Sequence, residues 1–303
     1  MFIELDFQDN GKQSNYQAIS TLAQLGYDGV VFSRTINDVI TKNDICTFKE
    51  LDLKELDQNE NSSFKNLSSL TLMKNEKKQF RQYSRLNIII SSKKNIFLLK
   101  KMENILKTYD IVAVFPQSTE IFEKCIELPT IDIISFDLSL KYLIKIKYKQ
   151  VNKAIINGLF FEIRYSSMFK TKQSQARKNT FSNAINVVKY TKGKNLLIAS
   201  GANDPINLRG PYDVMNMATF FNIPFNQAKN ILTANSESVI SHGVMRKTYF
   251  GVIKVEDKKK IPKELEESTD EDEDEDKNKE EIEIEKEEMM IEKIKKPIIL
   301  IQK

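Results

Sequence analysis

Seven short apolar runs recur along the first two hundred residues, with longer amphipathic stretches between them, and this alternation restricts the chain more than any single motif does. The runs are Phe2 to Phe7, Gly29 to Phe32, Asn87 to Ile90, Ile111 to Phe115, Ile131 to Phe136, Leu159 to Tyr165 and Leu196 to Ala199. Strands that alternate with helices pair in parallel, because each helix carries the chain back to the same end of the sheet. The first 32 residues already spell one such unit. Ser14 to Gln17 has the capping-box pattern, Ile19, Leu22 and Ala23 follow at helical spacing, and Gly26 stops the helix before the second strand. Later helices are expected around Leu99 to Leu106, Ile121 to Ile126, the Lys-rich stretch at 140–149, and Gln175 to Tyr190, where Phe181, Ala184, Ile185 and Val188 share one face.

The fold class is therefore α/β, and residues 1–254 match the length of a TIM-barrel-like α/β barrel, roughly 250 residues. An open doubly wound sheet is the competing architecture. It lacks its nucleotide fingerprints here, since no GxGxxG follows the first strand and no GxxxxGK[ST] occurs. Residues 37–80 lose periodicity in an Asn- and Ser-rich stretch and read as an irregular insertion. If helices cover the Ile3/Leu5/Phe7 and Phe161/Ile163/Tyr165 faces, then Glu4, Asp6, Glu162 and Arg164 turn inward. Charges inside a barrel must pair, so an internal contact of Glu162 with Arg164, or of Asp6 with an arginine, stands against the reading of a catalytic carboxylate pair.

The stretch Asn195 to Asp213, NLLIASGANDPINLRGPYD, reads as strand, polar loop and helix start. Pro211 suits the first helical position and Asp213 the first turn. Arg209 stands just before that start, where unpaired N–H groups favour anions. It either serves a phosphate or carboxylate there or pairs with Asp204 or Asp213.

Charge is distributed unevenly. Residues 255–303 carry 19 acidic and 11 basic side chains, leaving 35 basic and 23 acidic in 1–254, a body of +12 against a tail of −8. A basic body points to a polyanionic partner, although a Lys-, Asn- and Ile-rich composition supplies many lysines without any such purpose. The tail, with seven consecutive acids from Asp270 to Asp276, is expected to be disordered. It either solubilises the chain or screens the basic body against stray polyanions. No apolar run is long enough to span a membrane, MFIELDF is unlike a signal peptide, and Cys46 and Cys125 stand apart, so a reduced, intracellular protein without a membrane partner is expected.

A single histidine, His242, argues against a zinc or multinuclear hydrolase and against a Ser/His/Asp triad, and it reads as a helix-terminal residue. Asp6, Asp137 and Glu162 form the only oxygen set worth weighing for Mg²⁺, and nothing in their spacing supports it.

The segments YDIVAVFP at 109–116, NGLFFEIRYSSMF at 157–169, QARKNTFSNAINVV at 175–188, LLIASGANDPINLRGPYDVMNM at 196–217 and MRKTYFGVI at 245–253 resemble the roughly thirty-kilodalton protein subunit of eukaryotic and archaeal ribonuclease P, shared with ribonuclease MRP in eukaryotes. The resemblance covers about 1–254 and is weakest over 37–80. It implies an α/β barrel related to a histidine-rich phosphoesterase superfamily, and a non-catalytic protein that supports removal of 5′ leaders from precursor tRNA. The catalyst is then the RNA with its own Mg²⁺, and no cofactor falls to the protein. Ribonuclease P or MRP RNA, precursor tRNA in the assembled particle and other protein subunits become the expected partners, and the nucleus, particularly the nucleolus, the expected location.

Basic residues gather at 77–85, at 170–178 beside Phe169 and Phe181, and at 245–247. Arg164, Lys170, Arg177, Lys178, Arg209, Arg246 and Lys247 are the candidate RNA contacts, suited to positioning phosphates rather than reading bases. A barrel phosphoesterase acting on a phosphorylated small molecule is the alternative function.

Overall fold

The computed structural model describes residues 1–37, 39–52, 80–141, 144, 146–170 and 174–248. The acidic tail and most of the expected insertion lie outside the described residues. Within them, β1 (Ile3–Gln8), β2 (Gly29–Asn37), β3 (Arg81–Ile90), β4 (Ile111–Pro116), β5 (Ile133–Ser135), β6 (Phe160–Arg164) and β7 (Leu196–Ala199) pair in parallel in that order. Strand order follows chain order with no switch point, which rules out the doubly wound alternative. A bridge between Phe7 and Ala202, with Gln8 N donating to Ala202 O at 2.9 Å, brings β1 to the exit of β7 and nearly closes a barrel.

Helices coat the outside: α1 (Lys12–Leu25), α2 (Lys93–Lys101), α3 (Glu103–Leu106), α4 (Thr119–Cys125), α5 (Tyr148–Ile156), α6 (Ser166–Lys170), α7 (Ser174–Thr191), α8 (Pro211–Thr219), α9 (Phe225–Leu232) and α10 (Ala234–Lys247). Local chemistry sets many of their ends. Gly26 takes the left-handed φ of 96° that ends α1, a conformation only glycine adopts without strain, and Ser92 and Ser118 accept from the first-turn amides of Lys94 and Ile121. The capping box expected at Ser14 is absent. The helix starts earlier, at Lys12, where Asp9 accepts from the Gly11 amide and the Asn15 side chain.

Three other expectations are corrected. Among the described residues of the Lys-rich stretch at 140–149, none before Tyr148 is helical. From Ile144 to Lys149 its apolar and basic residues alternate with period two, Lys147 is extended, and the helix begins only at Tyr148 to bury Val151 and Ala154. The helix through Leu99 and Leu106 breaks at Met102 into α2 and α3. In β1, a register shift between Glu4 and Phe7 puts Ile3 and Leu5 in the inner cluster with Val31, Ala113 and Leu197, while Phe7 packs outward on Ala18, Ile19 and Leu22 of α1. A strict alternation of faces fails there because a bulge inserts an extra residue. On β6 the expected faces hold, with Phe161, Ile163 and Tyr165 in the outer cluster.

Residues 39–52 form neither helix nor strand, yet their polar groups are tied down. Asp44 meets Arg34 at 2.8 Å and accepts from Thr41, and Leu51 exchanges two backbone hydrogen bonds with the Gln82 side chain.

Helix α10 lies across the N-terminal ends of the strands. Met1 N pairs with Glu237 at 3.2 Å, Asn235 donates to Leu196 O, and Val239 is fully buried in the inner cluster. Gly243 passes so close to the chain ahead of β4 that a Cβ there would sit 2.0 Å from Asp110 O, which is backbone and cannot yield. Gly243→Ala is expected to lower stability by about 1–3 kcal/mol, read as a fall in urea midpoint at unchanged slope. The neighbouring exposed substitution Val244→Ala should leave the midpoint within experimental scatter.

Candidate nucleic-acid interface at the C-terminal mouth of the barrel

Barrel enzymes assemble their sites from loops at the C-terminal ends of the strands. Here the interior leading to that mouth is filled by paired charges. Arg85, fully buried, grips Glu162 through two parallel bonds of 2.6 and 2.7 Å, donates to Asn87 at 2.7 Å and reaches Leu5 O at 2.8 Å. Asn87 donates on to Asp6, and Arg164 Nε stands 3.0 Å from Asp6 Oδ2, off the line of the N–H, so that contact is ionic rather than a directed hydrogen bond. Burial drives the Asp6 carboxyl up, but the guanidiniums of Arg85 and Arg164 outweigh it and hold the group down at about 2.

Of the charges expected to turn inward, Asp6, Glu162 and Arg164 are thus internally paired, though Glu162 takes Arg85 rather than Arg164. In sequence Arg85 belongs to the basic stretch at 77–85. Its place between Ser84 and Leu86 in a strand was the available signal.

Glu4 behaves differently. It accepts from the Ser200 amide at 2.7 Å and the Asp6 amide at 3.2 Å, bridging β1 to the residue after β7. Burial pushes its carboxyl up to about 7 against the pull of those amides. Asp137 accepts from Ser139 instead of joining Asp6 and Glu162, and among the described residues no three His, Cys, Asp or Glu side chains converge as a metal would require.

The seven candidate cations separate into groups. Arg164 lines the mouth, one third exposed, with its guanidinium 5.2 Å from the Phe115 ring centre and hard against Gly201. Lys170 closes α6, and its side chain lies outside the described residues. Arg177 and Lys178 are exposed on the first turns of α7, Arg177 donating to Met168 O. Arg209 has its backbone clamped by two buried tyrosines: its amide donates to the Tyr165 hydroxyl oxygen, and the Tyr27 hydroxyl donates to its carbonyl. The Arg209 guanidinium donates to Ile206 O and Leu208 O and sits 4.8 Å over the Phe169 ring, pairing with neither Asp204 nor Asp213. As expected, Pro211 opens α8.

Arg246 and Lys247 are at the opposite end of the barrel. Arg246 is nearly buried, with Nε on the Asp132 carboxylate and three further N–H groups on the carbonyls of Leu106, Tyr109 and Asp110, so most of its donors are committed inside the protein. Lys247 pairs with Asp110, and His242 Nδ1 lies 2.7 Å from Asp132 Oδ1, inside α10 rather than at its end.

Beside Arg177 and Arg209 opens a cavity of about 450 Å³, lined by Met168, Phe169, Phe181, Asp213, Asn216, Met217 and Phe220. Asp213, Asn216 and Met217 on α8 and Phe220 at its C-cap fall at i, i+3, i+4 and i+7, a single face defined by helical spacing.

The sequence model of a family described as RNase P subunit p30 matches residues 1–248, the whole of the barrel. The chain belongs to that family. A mouse protein, ribonuclease P protein subunit p30, is 35% identical over 156 residues, covering 52% of this chain and 58% of its own length. The Arabidopsis thaliana protein GAMETOPHYTE DEFECTIVE 1 is 32% identical over 241 residues, 79% of this chain and 41% of that protein. The chain thus spans roughly half the length of these curated relatives. A chain in a cryo-EM structure of archaeal ribonuclease P with mature tRNA shares the fold at a TM-score of 0.59 and 16% identity, covering 85% of this chain and 99% of that one. For this p30-family chain the α/β barrel expected from alternation is the observed fold.

Glu4 gives the barrel seam a pH signature. The folded chain keeps a proton that the unfolded chain releases near 4.5, so stability falls as pH rises from 4.5 to about 7 and then levels off. Asp6 acts in the opposite sense, its contribution fading as pH drops from 3.8 to about 2. Urea titrations of the full chain from pH 5 to 8 should show the midpoint falling to about pH 7, and Glu4→Gln should flatten that slope. A slope that persists in the variant would place the titrating group elsewhere.

Proposed function

We propose that this chain is a non-catalytic, RNA-binding protein subunit of ribonuclease P, and of ribonuclease MRP where the two share subunits, supporting removal of 5′ leaders from precursor tRNA. One observation carries the reading beyond family membership. Inside the barrel Asp6, Glu162, Arg85 and Arg164 are committed to one another, while Arg177 and Arg209 stand beside the exposed rings of Phe169 and Phe220, with Lys178 exposed next to Arg177 on α7. Such a surface can position phosphates and has little with which to transform a substrate. Its partners would be the RNA of the particle, precursor tRNA and further protein subunits. Its location would be the nucleus and, more finely, the nucleolus. Residues 1–254 would act as the barrel domain, with 255–303 as an acidic appendage.

No described helix is long and apolar enough to cross a membrane. Support comes from relatives named as ribonuclease P subunits, among them the mouse p30 protein and the Saccharomyces cerevisiae ribonuclease P/MRP protein subunit RPP1, 26% identical over 151 residues, 48% of this chain.

Purification of the tagged full chain should bring down an RNA and several other proteins, and the particle should cleave precursor tRNA. RNA binding by the chain should weaken steeply with salt. Arg177→Ala combined with Lys178→Ala should reduce the slope of log affinity against log salt by about 1.5–2, the loss of two phosphate contacts. A lone chain that hydrolyses generic phosphoesters with Mg²⁺ would instead favour the barrel phosphoesterase, and an unchanged slope would remove these two side chains from the interface.

A further inference from the structure

The cavity between α6, α7 and α8 combines features that phosphate contact alone does not require. Phe169 and Phe220 are 46% and 67% exposed at its edge, Met168, Met217 and Phe181 form its walls, Arg177 and Arg209 stand at its lip, and Asp213 and Asn216 project from the same face of α8. Its volume of about 450 Å³ falls within the small-ligand range of about 300–1,000 Å³. We infer that this cavity receives one unpaired nucleobase of the bound RNA. The inference rests on the RNA-binding reading above and deepens it by naming what the surface holds.

The lining favours a base over an apolar side chain from a protein. Covering the cavity with a leucine or phenylalanine anchor would take the exposed Asp213 carboxylate and Asn216 amide out of water without offering either a partner, at the cost of unsatisfied polar groups. A nucleotide answers each of them. Its ring stacks on an aromatic face or a guanidinium plane, its amino and imino edges face Asn216 and Asp213, and its phosphate meets Arg177 and Arg209. Arg209 already lies over Phe169, so its plane and the Phe220 ring are the flat surfaces on offer. Tyr27 and Tyr165 fix the Arg209 backbone, and the Ile206 and Leu208 carbonyls hold its guanidinium in place before any ligand arrives. Duplex RNA, with its bases stacked inward, cannot fill such a site.

The test uses the full chain, a hexaribonucleotide carrying one 2-aminopurine, and a blunt RNA duplex of equal length. The wild-type protein should bind the single strand and change the 2-aminopurine emission. Phe220→Ala, at an exposed position, should weaken single-strand binding about tenfold, the worth of one stacked base. It should suppress the emission change and leave duplex binding and melting temperature as they were, and Phe220→Tyr should restore binding. Single-strand affinity unchanged in Phe220→Ala, or lost equally for both RNAs, overturns the inference while leaving the RNA-binding role intact. So does a variant that keeps its RNA affinity but no longer retains its protein partners, which would make the cavity a protein contact. If the wild-type chain binds neither RNA and no RNA co-purifies with it, the functional reading itself fails.

Discussion

A guanidinium in the middle of a barrel dictates much of what surrounds it. Arg85 carries a charge that cannot be given up, and burying it unpaired would cost several kcal/mol. Two bonds to Glu162 on β6, one to Asn87 on its own strand and one to the β1 carbonyl of Leu5 use most of its donors, tying β1, β3 and β6 through the interior rather than around the sheet. Asp6 then requires a further cation, which Arg164 supplies from the mouth. The bulge in β1 follows the same logic, since it lets Leu5 fill the apolar lower interior while the next residue, Asp6, still joins the charged set.

With the interior committed in this way, the two ends of the barrel take on different duties. The N-terminal end is closed by α10, whose Arg246, His242 and Lys247 are all absorbed by Asp132 and Asp110. The C-terminal end exposes cations and aromatic rings on the elements that follow β6 and β7. Under the proposed function the chain would keep the positional habit of barrel proteins, in which sites gather at the C-terminal mouth, although here the mouth itself is filled with structural ion pairs.

Strand positions were legible because buried parallel strands leave compact apolar runs, and the identity of the 195–213 segment as strand, loop and helix start was legible from Gly210, Pro211 and Asp213. Other features depended on information that no local pattern holds. Arg85 and Arg246 look like surface cations in sequence and become interior ones only because acids 77 and 114 residues away come to meet them. The start of α5 was misplaced because basic residues obscured a period-two pattern. Phe220 has a readable helical relation to Asp213 and Asn216, but that it shares a cavity with Phe169 and Arg177 depends on elements distant in sequence coming together.

The central claim is that RNA meets this protein at the rim of the C-terminal mouth and not at the end covered by α10. Ultraviolet cross-linking of the assembled particle, followed by peptide mapping, addresses this directly. Cross-links should concentrate on peptides containing Phe169, Arg177, Arg209 and Phe220. A map dominated by α10 peptides containing His242 and Arg246, with the rim unmodified, would contradict the account.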